Sequence, residues 1–479
     1  MSVRIVLMLL GCALLAGCAH NPATGRTDFV MMSEQQELEL GRNYNQQILK
    51  ENPRYADEQL QAYVQQVGER VAKNSHRSNL NYHFTVVDSP DINAFALPGG
   101  YIYIHRGLLA YLNSEAELAA VLGHEVGHVT ARHSVQQQSQ STAWGILGQA
   151  VAIGTGVSAA ADVTNVLGTA VVRGYGRDME LEADGLGAQY LARSGYDPQA
   201  MIEVVKVLKN QEVFARDQAT KRGQAVPESG YHGVFDSHPD NDRRLQEVIG
   251  PARALAGGKQ EVNREVFLQH LEGLPFGDSA ATGVRRGQHF YHADLGLALD
   301  FPAGWQLVNR PDAVIVHSAD QQAFVAMTVG AAEPGLTAEQ LLRQRAKGQR
   351  LVQEQALNSH GLRGFTGILA GTPTKRVAIV YKDSRAYQFI AAVKGRGSLE
   401  SEDQSFMQVI NSLRPLTPAE AKLAQPLRLH LRKVASGDNM AALAKASKWP
   451  EDPQATLRLL NGLYPDAEPR PGDWLKILR

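Results

Sequence analysis

The hydrophobic and polar positions of this chain fall into stretches of different period, and each period predicts a different kind of element. Residues 1–16 carry Arg4 and then an apolar run, the pattern of a targeting signal rather than of a packed element. Pro98-Gly99-Gly100 marks a turn. The alternation of Tyr101-Ile102-Tyr103-Ile104 after it predicts a strand whose edge can pair with an extended peptide. Ser114-Glu115-Ala116-Glu117 then has the spacing of a capping box with Ser114 at the N-cap, and it runs into Leu118-Ala119-Ala120-Val121-Leu122. We expect one helix over residues 115–132. Arg177 to Asp184 reads as a second helix. Between the two, Ser134 to Ala161 and the run from Asp162 to Val172 hold almost no charge. Ala, Gly, Ser, Thr and Gln dominate there, so the pattern predicts a small-residue helix pair or cover rather than a membrane span.

Further on, Ala256-Gly257-Gly258 and Gly277-Asp278-Ser279-Ala280-Ala281-Thr282-Gly283 have linker composition. From His289 to Pro415 the order is strands, a helix over 337–347, strands over 377–381 and 386–393, and an amphipathic helix over 401–413. A second linker begins at Thr417-Pro418, and the last fifty or so residues form a small strand, helix, helix, strand unit.

With 479 residues and 44% hydrophobic positions, the chain has length and apolar content for several buried cores. A net charge of -1 gives no reason to expect nucleic acid as a partner. Of the 2 cysteines, Cys12 lies in the signal and Cys18 ends Leu15-Ala16-Gly17-Cys18, which resembles a bacterial lipobox. Cleavage before Cys18 leaves a lipidated cysteine, an anchor made of several acyl chains, and no disulfide. Ala19 in the next position favours sorting to the outer membrane, so the expected location is its periplasmic face.

The chemistry concentrates in His124-Glu125-Val126-Gly127-His128. On a helix, His124 and His128 share a face one turn apart and can hold one zinc ion, while Glu125 points toward a bound water. Zinc chemistry needs a third ligand, and helical spacing puts Glu180 and Asp184 on one face with Glu182 turned away. Spacing leaves those two carboxylates in competition, and Glu182 reads as a solvated charge.

HExxH together with Glu180-x-x-x-Asp184 resembles peptidase family M48, and the similarity runs from about residue 21 to 250. It includes Asn21-Pro22-Ala23-Thr24-Gly25-Arg26, Asn93-Ala94-Phe95-Ala96-Leu97-Pro98-Gly99-Gly100, and Ser237-His238-Pro239 with Arg244. The resemblance implies a mainly helical zincin-type domain with a small sheet, His124, His128 and Glu180 as zinc ligands, and Glu125 as general base. It implies Asp184 as the carboxylate orienting a ligand histidine, and Asn93, Ala94, Phe95 and Ala96 as a strand bordering the cleft. The periplasmic BepA-type members are especially similar. In them a loop histidine at the place of His238 can occupy the open position of the metal and keep the enzyme latent. For His238 a transition-state hydrogen-bond donor and a plain loop residue remain as alternatives, and Arg244 is either a partner of site carboxylates or a solvated charge.

The expected architecture is thus α+β and multidomain: signal 1–17, M48 domain 18–265, a middle domain 284–416 and a terminal module 427–479. Asp300-Phe301-Pro302-Ala303-Gly304-Trp305 and its surroundings resemble PsbP-like α/β/α sandwiches. His289, His292 and His317 have no metal spacing. Val434-Ala435-Ser436-Gly437-Asp438-Asn439-Met440 with Pro471-Gly472-Asp473-Trp474 resembles a βααβ LysM module, which implies peptidoglycan as a partner. The implied substrates are envelope proteins, with the outer-membrane assembly machinery as a further partner. The competing reading is a chaperone that uses the cleft to hold clients, and a third is a cell-wall tether with a vestigial protease.

Overall fold

A computed structural model describes residues 18–142, 175–221, 223, 241–255, 257, 260–310, 312–395, 397–447, 449 and 452–479. The signal segment, the membrane reading of 143–172 and His238 lie outside the described residues. Two segments far apart in the chain build the first unit, Met1–Phe276 with Leu427–Arg479, and the residues between them, Gly277–Pro426, form the second.

The first unit opens with a short antiparallel pair, β1 (Cys18–His20) and β2 (Thr27–Phe29), followed by α1 (Glu34–Glu51) and α2 (Glu58–Ala72). Strands β3 (His83–Val87), β4 (Ala94–Leu97) and β5 (Tyr101–His105) make a sheet in the order β3-β5-β4. Strand β5 pairs parallel with β3 and antiparallel with β4. The alternating run 101–104 is therefore the central strand, with both edges occupied, and β4 is an outer strand of this sheet. A strand with two buried faces is explained by residues that are apolar almost throughout, and Ile102, Tyr103 and Ile104 are fully buried.

After α3 (Arg106–Tyr111) comes α4 (Glu115–Thr130), every residue of which is buried. The helices α2, α5 (Arg177–Arg193) and α6 (Ala200–Lys221) pack around it, with β4 and β5 on another side. Ser114 is the N-cap and accepts from the Glu117 amide. The Glu117 carboxylate does not close the box on Ser114; it accepts from the Asn113 amide at 2.8 Å and from the Ser114 hydroxyl at 3.2 Å. The helix stops at Thr130, short of the expected 132, because Arg132 takes a left-handed backbone (φ 58°). Its guanidinium is held there by the buried Glu37 carboxylate at 2.8 Å and the Met32 carbonyl. The N-terminal part of the unit continues through α7 (Asn241–Leu255), α8 (Arg264–His270) and β6 (Pro275–Phe276).

The second unit contains β7 (Val284–Arg286), β8 (His289–His292), β9 (Leu297–Asp300), β10 (Gln306–Asn309), β11 (Ala313–His317), β12 (Ala323–Ala331), α9 (Ala338–Arg345), β13 (Leu351–Ser359), β14 (Leu362–Leu369), β15 (Lys375–Lys382), β16 (Arg385–Val393), α10 (Leu399–Ser412), β17 (Arg414–Pro415) and α11 (Pro418–Leu423). Its main sheet has seven antiparallel strands in the order β10-β11-β12-β16-β15-β14-β13. Side chains alternate across it, as the period of a strand requires. Ala378 and Val380 meet Phe406 and Ile410 of α10, whereas Val377 and Ile379 meet Leu341 and Leu342 of α9. The arrangement is helix, sheet, helix.

The chain re-enters the first unit through β18 (Leu427–Lys433), α12 (Met440–Ala446), α13 (Pro453–Leu460) and β19 (Trp474–Leu478). The expected β, α, α, β order is present, with β18 and β19 antiparallel. Where the sequence pattern sets 427–479 apart as a module of its own, the structure packs it into the first unit: Leu443, Leu457 and Leu475 share one core cluster with Leu118 and Leu122. Strand β18 pairs with β6 through Leu427 and Phe276, so the second unit leaves and rejoins the first at hydrogen-bonded neighbours.

Candidate metal centre

The two helices that carry the motif residues approach closely because small residues face each other. A Cβ added to Gly127 of α4 would stand 3.0 Å from the Ala183 carbonyl oxygen of α5, and one added to Gly187 would stand 3.0 Å from the His124 amide nitrogen. Only glycine permits that approach without a shift of backbone. It brings the first turns of α5 under the last turns of α4, which is how Glu180 and Asp184 reach the histidines.

His124, His128 and Glu180 are the one group of candidate metal ligands found among the described residues, with ligand atoms all within 4.8 Å of one another. The His124 and His128 Nε2 atoms lie 3.0 Å apart, and each is 3.5 Å from an oxygen of Glu180. Bonds of about 2.1 Å at tetrahedral angles place ligand atoms about 3.4 Å apart, so the observed triangle has the size of one face of a zinc tetrahedron. The hydrogen bonding also fits. His124 Nδ1 is 2.8 Å from Asp184, which leaves its Nε2 lone pair on the metal side. Burial alone would raise the Asp184 pKa, but the guanidinium of Arg244 and the His124 ring hold it down to about 2. Arg244 of α7 donates to both Asp184 oxygens at 2.8 and 2.7 Å and stands 3.4 Å from Glu180. The competition between the two carboxylates is thereby resolved: Glu180 faces both histidines, and Asp184 backs His124. Arg244 is buried against both.

Glu125 is buried beside His124 and lines a cavity of about 30 Å³ with Ala94, Leu108, Val121, Met201, Val204, Leu208 and Arg244. Ala94 puts the outer strand β4 on this cavity, and of the other residues of the expected border Ala96 is buried and Phe95 stacks on Tyr103 of the central strand at 4.8 Å. Asn93 adjoins β4, its carbonyl accepting from the His105 amide.

The sequence pattern missed three participants. His133 meets His128 Nδ1 to Nδ1 at 2.8 Å, and burial lowers its pKa to about 3, so it is a neutral acceptor for a His128 N–H. Tyr175 stacks on the His128 ring at 3.9 Å and hydrogen-bonds Ser134. Glu182 is not a solvated charge: it is mostly buried, paired with Arg26 at 2.8 Å and 3.9 Å from His133. The proximity of His133 to HExxH was the available signal. Its direction depends on the left-handed Arg132, which no periodicity reveals.

The comparisons with known proteins agree with this geometry. The profile of Peptidase family M48 matches residues 58–252. The chain is similar to the "Beta-barrel assembly-enhancing protease" of Yersinia pestis, 34% identical over 245 residues, which are 49% of this chain and 47% of that protein. It is similar to the "Mitochondrial metalloendopeptidase OMA1" of Arabidopsis thaliana, 35% identical over 160 residues, 33% of this chain and 32% of that one. The chain thus spans about half the length, or less, of these curated relatives. Among solved structures, cyanobacterial PsbP from Synechocystis is similar at TM-score 0.23 and 13% identity, over 28% of this chain and 96% of that one, a likeness too slight to add to the topology described above. Motif, geometry and profile converge on one assignment: this chain carries a domain of peptidase family M48, a metalloprotease family, over residues 58–252.

Proposed function

We propose that the chain is a zinc metalloendopeptidase, lipid-anchored through Cys18 at the periplasmic face of the outer membrane, that hydrolyses envelope proteins. The observation that carries the reading is the convergence of His124, His128 and Glu180 into a zinc-sized triangle, backed by Asp184 and Arg244. A bound zinc ion supplies Lewis-acid polarisation of the scissile carbonyl and of water. His124, His128 and Glu180 hold it, and Asp184 fixes the His124 tautomer. Glu125 takes the proton of the attacking water and returns it to the leaving amine. The outer strand β4, with Asn93 to Ala96, borders the bound substrate in this reading. The printed name of the Yersinia relative supports outer-membrane β-barrel assembly as the setting. No helix among the described residues is long and apolar enough to cross a membrane. The β, α, α, β order of 427–479 supports a LysM-like module with peptidoglycan as its partner, and the helix, sheet, helix order of 277–426 supports the PsbP-like reading.

A second reading is a binder of clients, and one observation favours it as the resting state: the cavity at Glu125 admits a water or two, not a peptide. Latency through His238 is the form this takes in our reading. Metal content and casein cleavage of protein lacking residues 1–18 test both. A single zinc per chain, with activity raised in His238→Ala and absent in Glu125→Gln, is the expected result. Zinc without cleavage in wild type and His238→Ala moves the weight to the binder, and absence of zinc sinks the peptidase.

A further inference from the structure

Strand β19 places an amine where apolar packing would be cheaper. Lys476 of β19 is fully buried, and its Nζ donates to the carbonyls of Ala110 at 2.7 Å and Leu112 at 2.6 Å. Those carbonyls end α3 and begin the link to α4, and a helix end leaves such acceptors without an intrahelical donor. Burial pushes the Lys476 amine well below the usual lysine range, and a buried amine loses hydration unless its hydrogens are satisfied, so a methionine would fill the space at lower cost while leaving both carbonyls unpaired.

The rest of the link is bound in the same way. Arg264 donates to the Asn113 carbonyl at 3.0 Å and to the Trp474 carbonyl at 3.3 Å, tying α8, the link and β19 together. Glu117 closes the other side on the Asn113 amide. Asn461 of α13 holds Lys476 itself through both of its backbone groups, at 2.8 and 2.9 Å. Ser114, which caps α4, follows directly, and His124 lies about three turns further along a straight helix. None of Lys476, Arg264, Trp474 or Asn461 falls within the segment matched by the family profile.

We propose that Lys476 is a positioning residue of the peptidase site. Its Nζ fixes the Ala110 to Ser114 link and so sets the depth and register at which α4 presents His124, Glu125 and His128. The inference rests on the metallopeptidase reading given above. Residues 427–479 then act on catalysis from inside the domain, whatever else they bind.

The test uses the full chain with Lys476→Met, and Leu457→Ala as a control that weakens the same core but removes no hydrogen bond to the link. Both are assayed well below their unfolding midpoints. Lys476→Met is expected to lower kcat about tenfold or more with KM nearly unchanged, since small displacements of reacting groups cost that much. Zinc affinity is expected to fall, and amide exchange over residues 114–124 of the metal-free protein to rise, about tenfold each, with Leu457→Ala leaving all three near wild type. If Lys476→Met fails to fold, Arg264→Met, which loosens the same link from a partly buried position, is read in the same way. Wild-type kcat, zinc affinity and exchange in the folded variant overturn the inference, as does an equal loss in Leu457→Ala. Wild type that binds zinc but cleaves nothing overturns the peptidase reading instead, and zinc affinity and exchange then still decide the role of Lys476.

Discussion

The two units bury different things. Around α4 the first unit encloses Glu37, Arg77, His124, Glu125, His128, His133, Glu180, Asp184, Arg244 and Lys476, whereas the core between the main sheet and α10 in the second is Phe290, Leu299, Val316, Val325, Phe389, Phe406 and their apolar neighbours. The second unit does bury Arg376, but that charge is simply paired with Asp403, and its half-exposed His289 is paired with Asp300. Enclosed charge lowers stability unless it is paired and hydrogen-bonded, and apolar packing of the same volume would generally be the stabler choice. The contrast teaches where to look for chemistry. A fold that tolerates edge-on histidines, three carboxylates and an arginine in one buried cluster has a use for them, and the second unit carries no such cluster among its described residues.

The sharpest way to break the comparison is Glu125→Gln, which keeps volume and removes the base. Cleavage should fall by about a thousandfold with zinc content intact, in line with the loss of general acid–base catalysis. Residual cleavage near wild type would remove Glu125 from the mechanism. In the second unit the equivalent intervention is Phe406→Ala, which opens a hole rather than removing a reactive group. Its cost should be about 3–4 kcal/mol in denaturant unfolding, with zinc affinity unchanged. A change in metal binding there would blur the line drawn between the units.

Asp184→Asn tests the support of the ligands more finely. Zinc affinity should weaken about 10–100-fold in a competitive chelator titration, because His124 loses its orienting charge while the ligands remain. An unchanged affinity would make Asp184 a partner of Arg244 only.

The smallest effect concerns His105, on the sheet away from the metal. Burial lowers its pKa to about 4, an influence that Asp91 at 4.0 Å opposes and Arg106 reinforces. A histidine whose folded pKa is depressed contributes stability above its unfolded pKa and loses it as pH falls toward the folded one. Stability should therefore drop by about 2 kcal/mol between neutral pH and about pH 5, and His105→Leu should flatten that part of the profile measured by urea unfolding. A wild-type profile already flat over this range would contradict the buried neutral ring.

What was legible in the sequence was local. The α4 motif announces itself because capping, apolar run and histidine spacing all lie within about five turns of one helix. The choice of Glu180 over Asp184 was not legible from spacing, since both share a face and only the approach of α4 and α5 at Gly127 and Gly187 turns one toward the metal. Strand 101–104 was read correctly as a strand and placed at the wrong position in its sheet, because pairing partners are set by residues 83–87 and 94–97. The hairpin β13–β14 was passed over; most of β13 faces solvent and is rich in Gln and Glu, though His360 and Gly361, both at positive φ, are the turn signal. The inclusion of 427–479 in the first unit had no local signature at all.

That inclusion bears on how the protein is made. Lys476 contacts a carbonyl 366 residues earlier, and everything in the second unit is synthesised before the contact can form. A growing chain would expose HExxH long before the strand that secures it, and closing so long a loop is slow in the way that non-local contacts are slow. If β19 is what seats the helix, a polypeptide truncated or stalled before it carries the motif without a finished site, and hydrolysis is reserved for chains translated past that strand.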